Sequence, residues 1–255
     1  MALSPDFLRL PLAHRGLHSP GVPENSMAAF RAAIAAGYGI ECDIQAARDG
    51  TPVVFHDDDL PRLTGATGLV RDLSPEALAR LRLLGSEQGI PSLADVLALV
   101  AGRVPLLVEI KDQSLHSGPG VGALEARVAG LLSQYAGPVA VMSFNPYSVA
   151  AVHRAAPDLA VGLTTCGYDP EEWDMLDAPT RARLAAIADF DRVGAGFVSH
   201  DHADFDNPAL ARLQARGVPV LTWTIRSPAE EAAARRIADN ITFEGYRPDL
   251  PALAS

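Results

Sequence analysis

Cysteine is scarce in this chain, with two residues, Cys42 and Cys166, among 255. Two thiols cannot build the disulfide framework of a small secreted scaffold, nor supply a thiolate zinc site. Basic residues are in deficit as well, 21 Lys and Arg against 31 Asp and Glu, for a formal charge of −10. Proteins that grip a nucleic-acid backbone usually carry a basic patch, so no nucleic-acid partner is expected, whereas small anionic substrates stay open. Long apolar runs are missing too. The longest stretch free of Asp, Glu, Lys and Arg runs from Val128 to His153, and Gly137-Pro138 and Asn145-Pro146 interrupt it, so stable membrane insertion is not expected. The opening Met-Ala-Leu-Ser-Pro-Asp has neither the basic patch nor the apolar run of a signal peptide, which makes the cytoplasm the expected compartment. Oligomeric state leaves no signature in the pattern.

What the chain does contain is globular: 48% hydrophobic and 20% charged residues, far from the composition of disorder. Short β-branched runs alternate with Ala/Leu/Arg-rich runs of helical period, the pattern of a parallel sheet covered by helices. Strands are expected at Leu8 to His14, Gly39 to Ile44, Val53 to His56, Pro105 to Ile110, Val139 to Ser143, Ala160 to Thr164, Gly196 to Ser199, Val218 to Thr224 and Asn240 to Phe243. Helices are expected at Ser26 to Ala36, Leu93 to Ala101, Gly122 to Tyr135, Tyr147 to Ala155, Pro179 to Phe190, Pro208 to Arg216 and Pro228 to Ala238, with Ser92 and Asp95 forming a capping box. Eight β/α units closing into an α/β barrel account for all but one strand. The extra run is Val53 to His56, because Arg48-Asp49-Gly50 before it reads as a hairpin turn. Asp57 to Ile90 breaks the alternation and reads as a small insertion after the second strand. No linker or repeat divides the chain, so residues 1–255 are expected to form one domain.

Alternate residues of a strand share a face, so Glu41 and Asp43 point one way while Ile40, Cys42 and Ile44 point the other. Glu109 and Lys111 repeat the arrangement on the next strand. In a barrel these polar positions would face the mouth, where strand C-terminal ends build active sites. Three converging carboxylates repel one another unless a proton, basic partners or a metal offsets their charge. Two readings stand side by side here: a hard divalent cation on all-oxygen ligands completed by water, or ion pairs with Arg15 and Lys111. His14 and His56 also stand at strand ends, where imidazoles can act as general acid and base or serve as ordinary hydrogen-bonders. Arg15 offers a planar fork to a phosphate or to a carboxylate.

The ordered set His14-Arg15-Gly16, Pro23-Glu24-Asn25-Ser26 with Ala29-Phe30, Glu41-x-Asp43, His56-Asp57-x-x-Leu60-x-Arg62-x-Thr64, Pro91-Ser92-Leu93, Glu109-x-Lys111 and Trp223-Thr224 closely resembles the glycerophosphodiester phosphodiesterase family. The resemblance covers nearly the whole chain, in family order. It implies a TIM barrel that hydrolyses glycerophosphodiesters to glycerol 3-phosphate and an alcohol. By the same resemblance Glu41, Asp43 and Glu109 would hold one divalent cation, Mg2+ or Ca2+, and His14 and His56 would form the acid/base pair. Arg15 and Lys111 would stabilise phosphate charge, and Trp223 would wall the pocket for the glycerol or leaving group. Charges then sum to a net positive site, which welcomes a phosphodiester anion.

Other features take blander readings. Asn25 is expected to cap the helix from Ser26, with Glu24 favourably placed at its dipole. Asp57, Asp58 and Asp59 read as a solvated loop, Thr64 to Gly68 as a turn, and His200-Asp201-His202 as a polar loop near the mouth. The last strand departs from the family's usual Thr-Asp ending, since Thr242 is followed by Phe243-Glu244-Gly245-Tyr246-Arg247-Pro248. Two alternatives accompany the main reading: a lysophospholipase D-type phosphodiesterase, which an apolar rim at the mouth would favour, and a catalytically silent ligand-binding barrel. A serine hydrolase is disfavoured because no Gly-x-Ser-x-Gly elbow occurs.

Overall fold

A computed structural model of the chain describes residues 2–114 and 116–251. Met1, Leu115 and residues 252–255, and with them both ends of the expected 1–255 domain, lie outside the described residues. The strands are β1 (Leu12–Ala13), β2 (Gly39–Ala46), β3 (Pro52–Val54), β4 (Leu106–Ile110), β5 (Val139–Ser143), β6 (Ala160–Thr165), β7 (Phe197–Asp201), β8 (Val220–Ile225) and β9 (Asn240–Phe243). Each of β2, β4, β5, β6, β7, β8 and β9 pairs in parallel with the next, and β1 closes the ring by pairing with both β9 and β2. This is an eight-stranded TIM barrel, as expected. β3 pairs antiparallel to β2 outside the ring, with Ile44 opposite Val54, and the turn between them contains Asp49 and Gly50.

Period-two alternation sorts the strand residues into two apolar sets. Leu12, Leu107, Ala140, Met142, Ala160, Phe197 and Leu221 fill the barrel interior. Ile40, Cys42, Ile44, Val108, Val141, Val161, Val198 and Ile241 pack outward among the helices. The first expected strand is corrected by the interior. Only Leu12–Ala13 pairs as a strand, whereas Asp6–Arg9 forms a helical turn whose Phe7 is fully buried in the interior cluster. Asn240 Nδ2 donates to the Phe7 and Leu10 carbonyls at 2.7 Å, fastening that plug to β9. β2 begins at Gly39, opposite Leu12, so a longer β1 would find no β2 partner, whereas the Phe7 ring gains by sealing the barrel.

Helix ends follow their local chemistry. Ser92 and Asp95 make the expected capping box at the start of Leu93–Val100. The helix Met27–Ala36 is capped by Ser26, whose Oγ accepts from the Ala29 N–H at 3.2 Å, so Asn25 is not its cap. The excursion after β3 folds over its own small core of Phe55, Leu60, Val70, Leu78, Leu83 and Ile90. It touches the barrel where Gln88 Oε1 accepts from the Ala28 N–H. No helix among the described residues is long and apolar enough to cross a membrane.

Gly162, on the inner face of β6, leaves room for the Phe197 ring, since a Cβ there would stand about 2.5 Å from ring carbons. Gly162→Ala is therefore expected to lower stability by about 1–3 kcal/mol through overpacking, read as a reduced denaturation midpoint with an unchanged denaturant slope.

Candidate active site

The β2–β4 register sets Asp43 directly beside Glu109, with Glu41 one inward position below. All three carboxylates are buried, and one oxygen from each lies within 4.8 Å of the others. Lys111 Nζ lies 2.8 Å from Asp43 Oδ1 and 2.5 Å from Glu109 Oε1, and Arg15 Nε lies 3.3 Å from Asp43 Oδ2. The ion-pair reading is thus partly realised. Among the described residues Glu41 makes no salt bridge; its Oε2 accepts the Arg15 N–H at 3.0 Å, and the Arg15 charge only partly offsets its burial.

The charges respond to this asymmetry. Burial pushes the Glu41 carboxyl well above its usual value, and the neighbouring Asp43 and Glu109 charges push it further. Burial also opposes ionisation of Asp43, but Lys111, His56 and Arg15 outweigh it and hold that carboxyl well below the carboxylate range. Three buried oxygen donors, one of them an acid without a salt bridge among the described residues, fit a hard divalent cation, with water to supply the remaining positions.

Asn25 belongs to this centre and not to the helix cap. Its Nδ2 donates to Asp43 Oδ2 at 2.8 Å and its Oδ1 accepts the Asp43 N–H at 3.3 Å. Both Asn25 and Arg15 have positive φ, 53° and 54°, and the Asn25 N–H donates to the Arg15 carbonyl at 2.9 Å. Two non-glycine residues held in that sparsely populated region are an observed strain at a site. Gly16, next to Arg15, allows the close approach, because a Cβ there would meet the Ala29 backbone at 2.9 Å.

His14 and His56 line the same pocket as the acids. His56 Nδ1 lies 2.7 Å from Asp57 Oδ1. Arg62 grips both Asp57 oxygens and reaches Glu24, which in turn holds Arg15 at 2.7 Å. The expectations for Glu24 as a helix-dipole residue and for Asp57 as a solvated loop residue are therefore corrected. Both join an ionic chain from one imidazole to the carboxylate centre. His14 Nδ1 lies 2.6 Å from Glu244 Oε2, a residue that sequence reasoning noted only as part of an irregular ending. The missed signal was the alternation itself: two residues past Thr242, Glu244 returns to the inward face. Burial lowers the pKa of both imidazoles below the ordinary 6.5; the carboxylate beside each resists this, whereas Arg15 and, for His56, Lys111 add to it.

The pocket encloses about 180 Å³, and Trp223, Thr224, Arg226, Thr242 and Phe144 complete its lining. The Trp223 indole N–H donates to the Ser199 carbonyl at 3.0 Å, which fixes the ring as a wall. A wider groove of about 770 Å³ continues outward past His56 and Lys111 to Trp173, Met175 and Leu176. His200 takes no part. It lies within β7, out of phase with inward Phe197, and is fully buried with Thr165 Oγ1 at 2.7 Å and the Asp204 carbonyl at 3.0 Å. His202 lies in the short turn that follows and lines neither cavity.

Fold and site together define a TIM barrel with an acid-lined, imidazole-flanked pocket at the strand C-terminal ends, where barrels of this class build their active sites. A sequence model of the glycerophosphoryl diester phosphodiesterase family, a family of phosphoric diester hydrolases, matches residues 14–241, and the chain belongs to that family. Among curated relatives, a glycerophosphodiester phosphodiesterase of Caldanaerobacter subterraneus subsp. tengcongensis is 37% identical over 177 residues, 65% of this chain and 70% of that protein. One from Bacillus altitudinis is 36% identical over 163 residues, 60% of this chain and 65% of that protein. The fold is shared with a phosphodiesterase of Oleispira antarctica solved with the product sn-glycerol-3-phosphate, at 23% identity and TM-score 0.75 over 92% of this chain and 93% of that one.

Two outcomes follow for the carboxylate centre. Glu41 binds its proton more tightly folded than unfolded, so its own contribution to the stability of the cation-free protein falls as pH rises above the unfolded value of 4.5. A divalent cation bound there would replace that proton, and the rise in Tm on adding it is expected to be larger at pH 8 than at pH 5. Asn25→Ala removes the amide that orients Asp43 and is expected to weaken divalent-cation affinity about 10- to 100-fold by calorimetric titration.

Proposed function

We propose that this protein hydrolyses glycerophosphodiesters to glycerol 3-phosphate and an alcohol, with one divalent cation, Mg2+ or Ca2+, held by Glu41, Asp43 and Glu109. The observation that carries this reading is the pairing of a buried three-carboxylate cluster with two imidazoles that line the same pocket, each with its Nδ1 edge against a carboxylate. The glycerol 3-phosphate held by the Oleispira antarctica barrel supports the product class. When bound, the cation supplies Lewis-acid polarisation of a phosphoryl oxygen and charge neutralisation.

The chain's own groups do the rest. Arg15 and Lys111, anchored on the acids, bring positive charge to the phosphate and stabilise what accumulates on its oxygens as the nucleophile adds. A carboxylate only accepts hydrogen bonds, so His14 and His56 present N–H from Nδ1 to Glu244 and Asp57 and keep Nε2 for proton transfer. One neutral imidazole takes the proton of the nucleophile. The other, protonated beside the phosphate anion, gives its proton to the leaving alkoxide as the phosphorus–oxygen bond breaks. The nucleophile is water, or the substrate's glycerol 2-hydroxyl by way of a cyclic phosphate; trapping a cyclic product selects the second route. Trp223 forms the wall against which the glycerol or leaving group lies.

One observation favours a second reading within the same chemistry. Trp173, Leu176 and the half-exposed Met175 line the outer groove, an apolar rim suited to the acyl chain of a lysophospholipid.

The test is release of glycerol 3-phosphate from glycerophosphocholine and glycerophosphoethanolamine, with and without chelator, beside lysophosphatidylcholine as substrate. Chelation should abolish release and Mg2+ or Ca2+ restore it. His14→Ala and His56→Ala should each lower kcat by about 10²- to 10⁴-fold, and full activity in either variant sinks the histidine assignment. Faster turnover of lysophosphatidylcholine selects the second reading. No release from any diester under any metal leaves a ligand-binding barrel.

A further inference from the structure

Glu244 follows the end of β9, on the far side of the sequence from the histidine it meets. Its Oε2 lies 2.6 Å from His14 Nδ1, and its Oε1 accepts Arg226 Nε at 2.8 Å. The backbone holds this geometry. The His14 N–H donates to the Phe243 carbonyl at 2.9 Å, and the Glu244 N–H donates to the Ile225 carbonyl at 3.0 Å. Both ends of the contact are therefore tied to the barrel ring itself. The preceding residue, Phe243, is buried with its ring against Tyr38 and Tyr246 on the helix side, so within this segment the inward position falls to 244.

We propose that Glu244 is a positioning residue for the reaction: it holds His14 in the Nδ1–H tautomer and so keeps Nε2 as the nitrogen that exchanges protons in the pocket. The reason is chemical. An ionised carboxylate has no proton to donate, so the ring nitrogen facing it carries the hydrogen and the other ring nitrogen of the neutral imidazole is left with its lone pair. Arg226 occupies the second oxygen and stops the carboxylate from turning away. His18 Nε2, buried and without a hydrogen-bond partner among the described residues, lies 3.6 Å from the same Oε2 and adds a second imidazole edge to this carboxylate. His56 has its Asp57 from the adjacent residue, whereas the partner of His14 is 230 positions away and reaches it only because β9 closes onto β1.

This role rests on the reading of His14 as an acid/base group, but its primary readout does not. Glu244→Gln offers one acceptor oxygen to two donors, so either Arg226 or His14 loses its partner; Glu244→Asp keeps the charge on a shorter arm. The measurement is the 15N spectrum of the His14 ring in the full-length, ligand-free protein at a pH where the ring is neutral, with kcat, KM and Tm alongside. In the unsubstituted protein Nδ1 should carry the proton. In Glu244→Gln that tautomer should give way to a mixture, kcat should fall about 10- to 100-fold with KM changed less than about threefold, and Tm should stay within a few degrees. Glu244→Asp should recover part of both signals, and it carries the test if the Gln variant does not fold. An unchanged Nδ1–H tautomer in the Gln variant, or undiminished kcat, overturns the proposal. A tautomer that shifts as expected in a protein that hydrolyses no diester supports the positioning and refutes the assigned reaction instead.

Discussion

The mutual repulsion of three carboxylates buried within 4.8 Å of one another is the constraint on which the mouth of this barrel is organised. No folded chain gathers three such charges in low dielectric without compensation, because unpaired buried charge costs several kcal/mol per ion. Lys111 and Arg15 answer for Asp43 and Glu109, and Glu41 is left over. Glu41 instead favours the protonated form, and a cation that replaced that proton would find three buried oxygen donors together.

The surrounding groups are arranged to keep those charges still. Asn25 clasps Asp43 through both its amide atoms, and the strained turns at Arg15 and Asn25 are tied to each other through a backbone hydrogen bond. From Arg15 an ionic chain runs through Glu24 and Arg62 to Asp57 and so to His56. Arg62 and Asp57 belong to the excursion after β3, which makes that insertion part of the site's scaffold. On the opposite side, β9 supplies Glu244 to His14. Both imidazoles thus stand against carboxylates that are themselves held by arginines.

Much of this was legible in the sequence because barrel strands follow a rule of two. Alternation alone put Glu41, Asp43, Glu109 and Lys111 on one face, and the hairpin turn before Pro52–Val54 identified the strand outside the ring. Local reasoning failed where a residue's partner is remote. Asn25 looks like a cap because it precedes a helix, yet Ser26 caps and Asn25 turns inward to Asp43, 18 positions away. Leu8 to Leu10 look like strand, yet Phe7 is worth more as a plug for the barrel base. His200 sits beside a run of polar residues, but its phase with Phe197 sends it outward into a buried hydrogen-bond pair with Thr165.

The deficit of cysteine and of positive charge excluded whole classes of protein, the β/α alternation by itself pointed to an α/β barrel with three acids converging from adjacent strands, and the ordered motifs carried the resemblance to the glycerophosphoryl diester phosphodiesterase family that the family model matches over residues 14–241. Periodicity is a local property, and it survives translation from sequence to strand. Which cation answers which acid, and which carboxylate stands behind each histidine, was decided only by the closed ring. Closure brings β9 against β1 and so sets Glu244 beside His14. A contact between the two ends of a chain has no period to announce it.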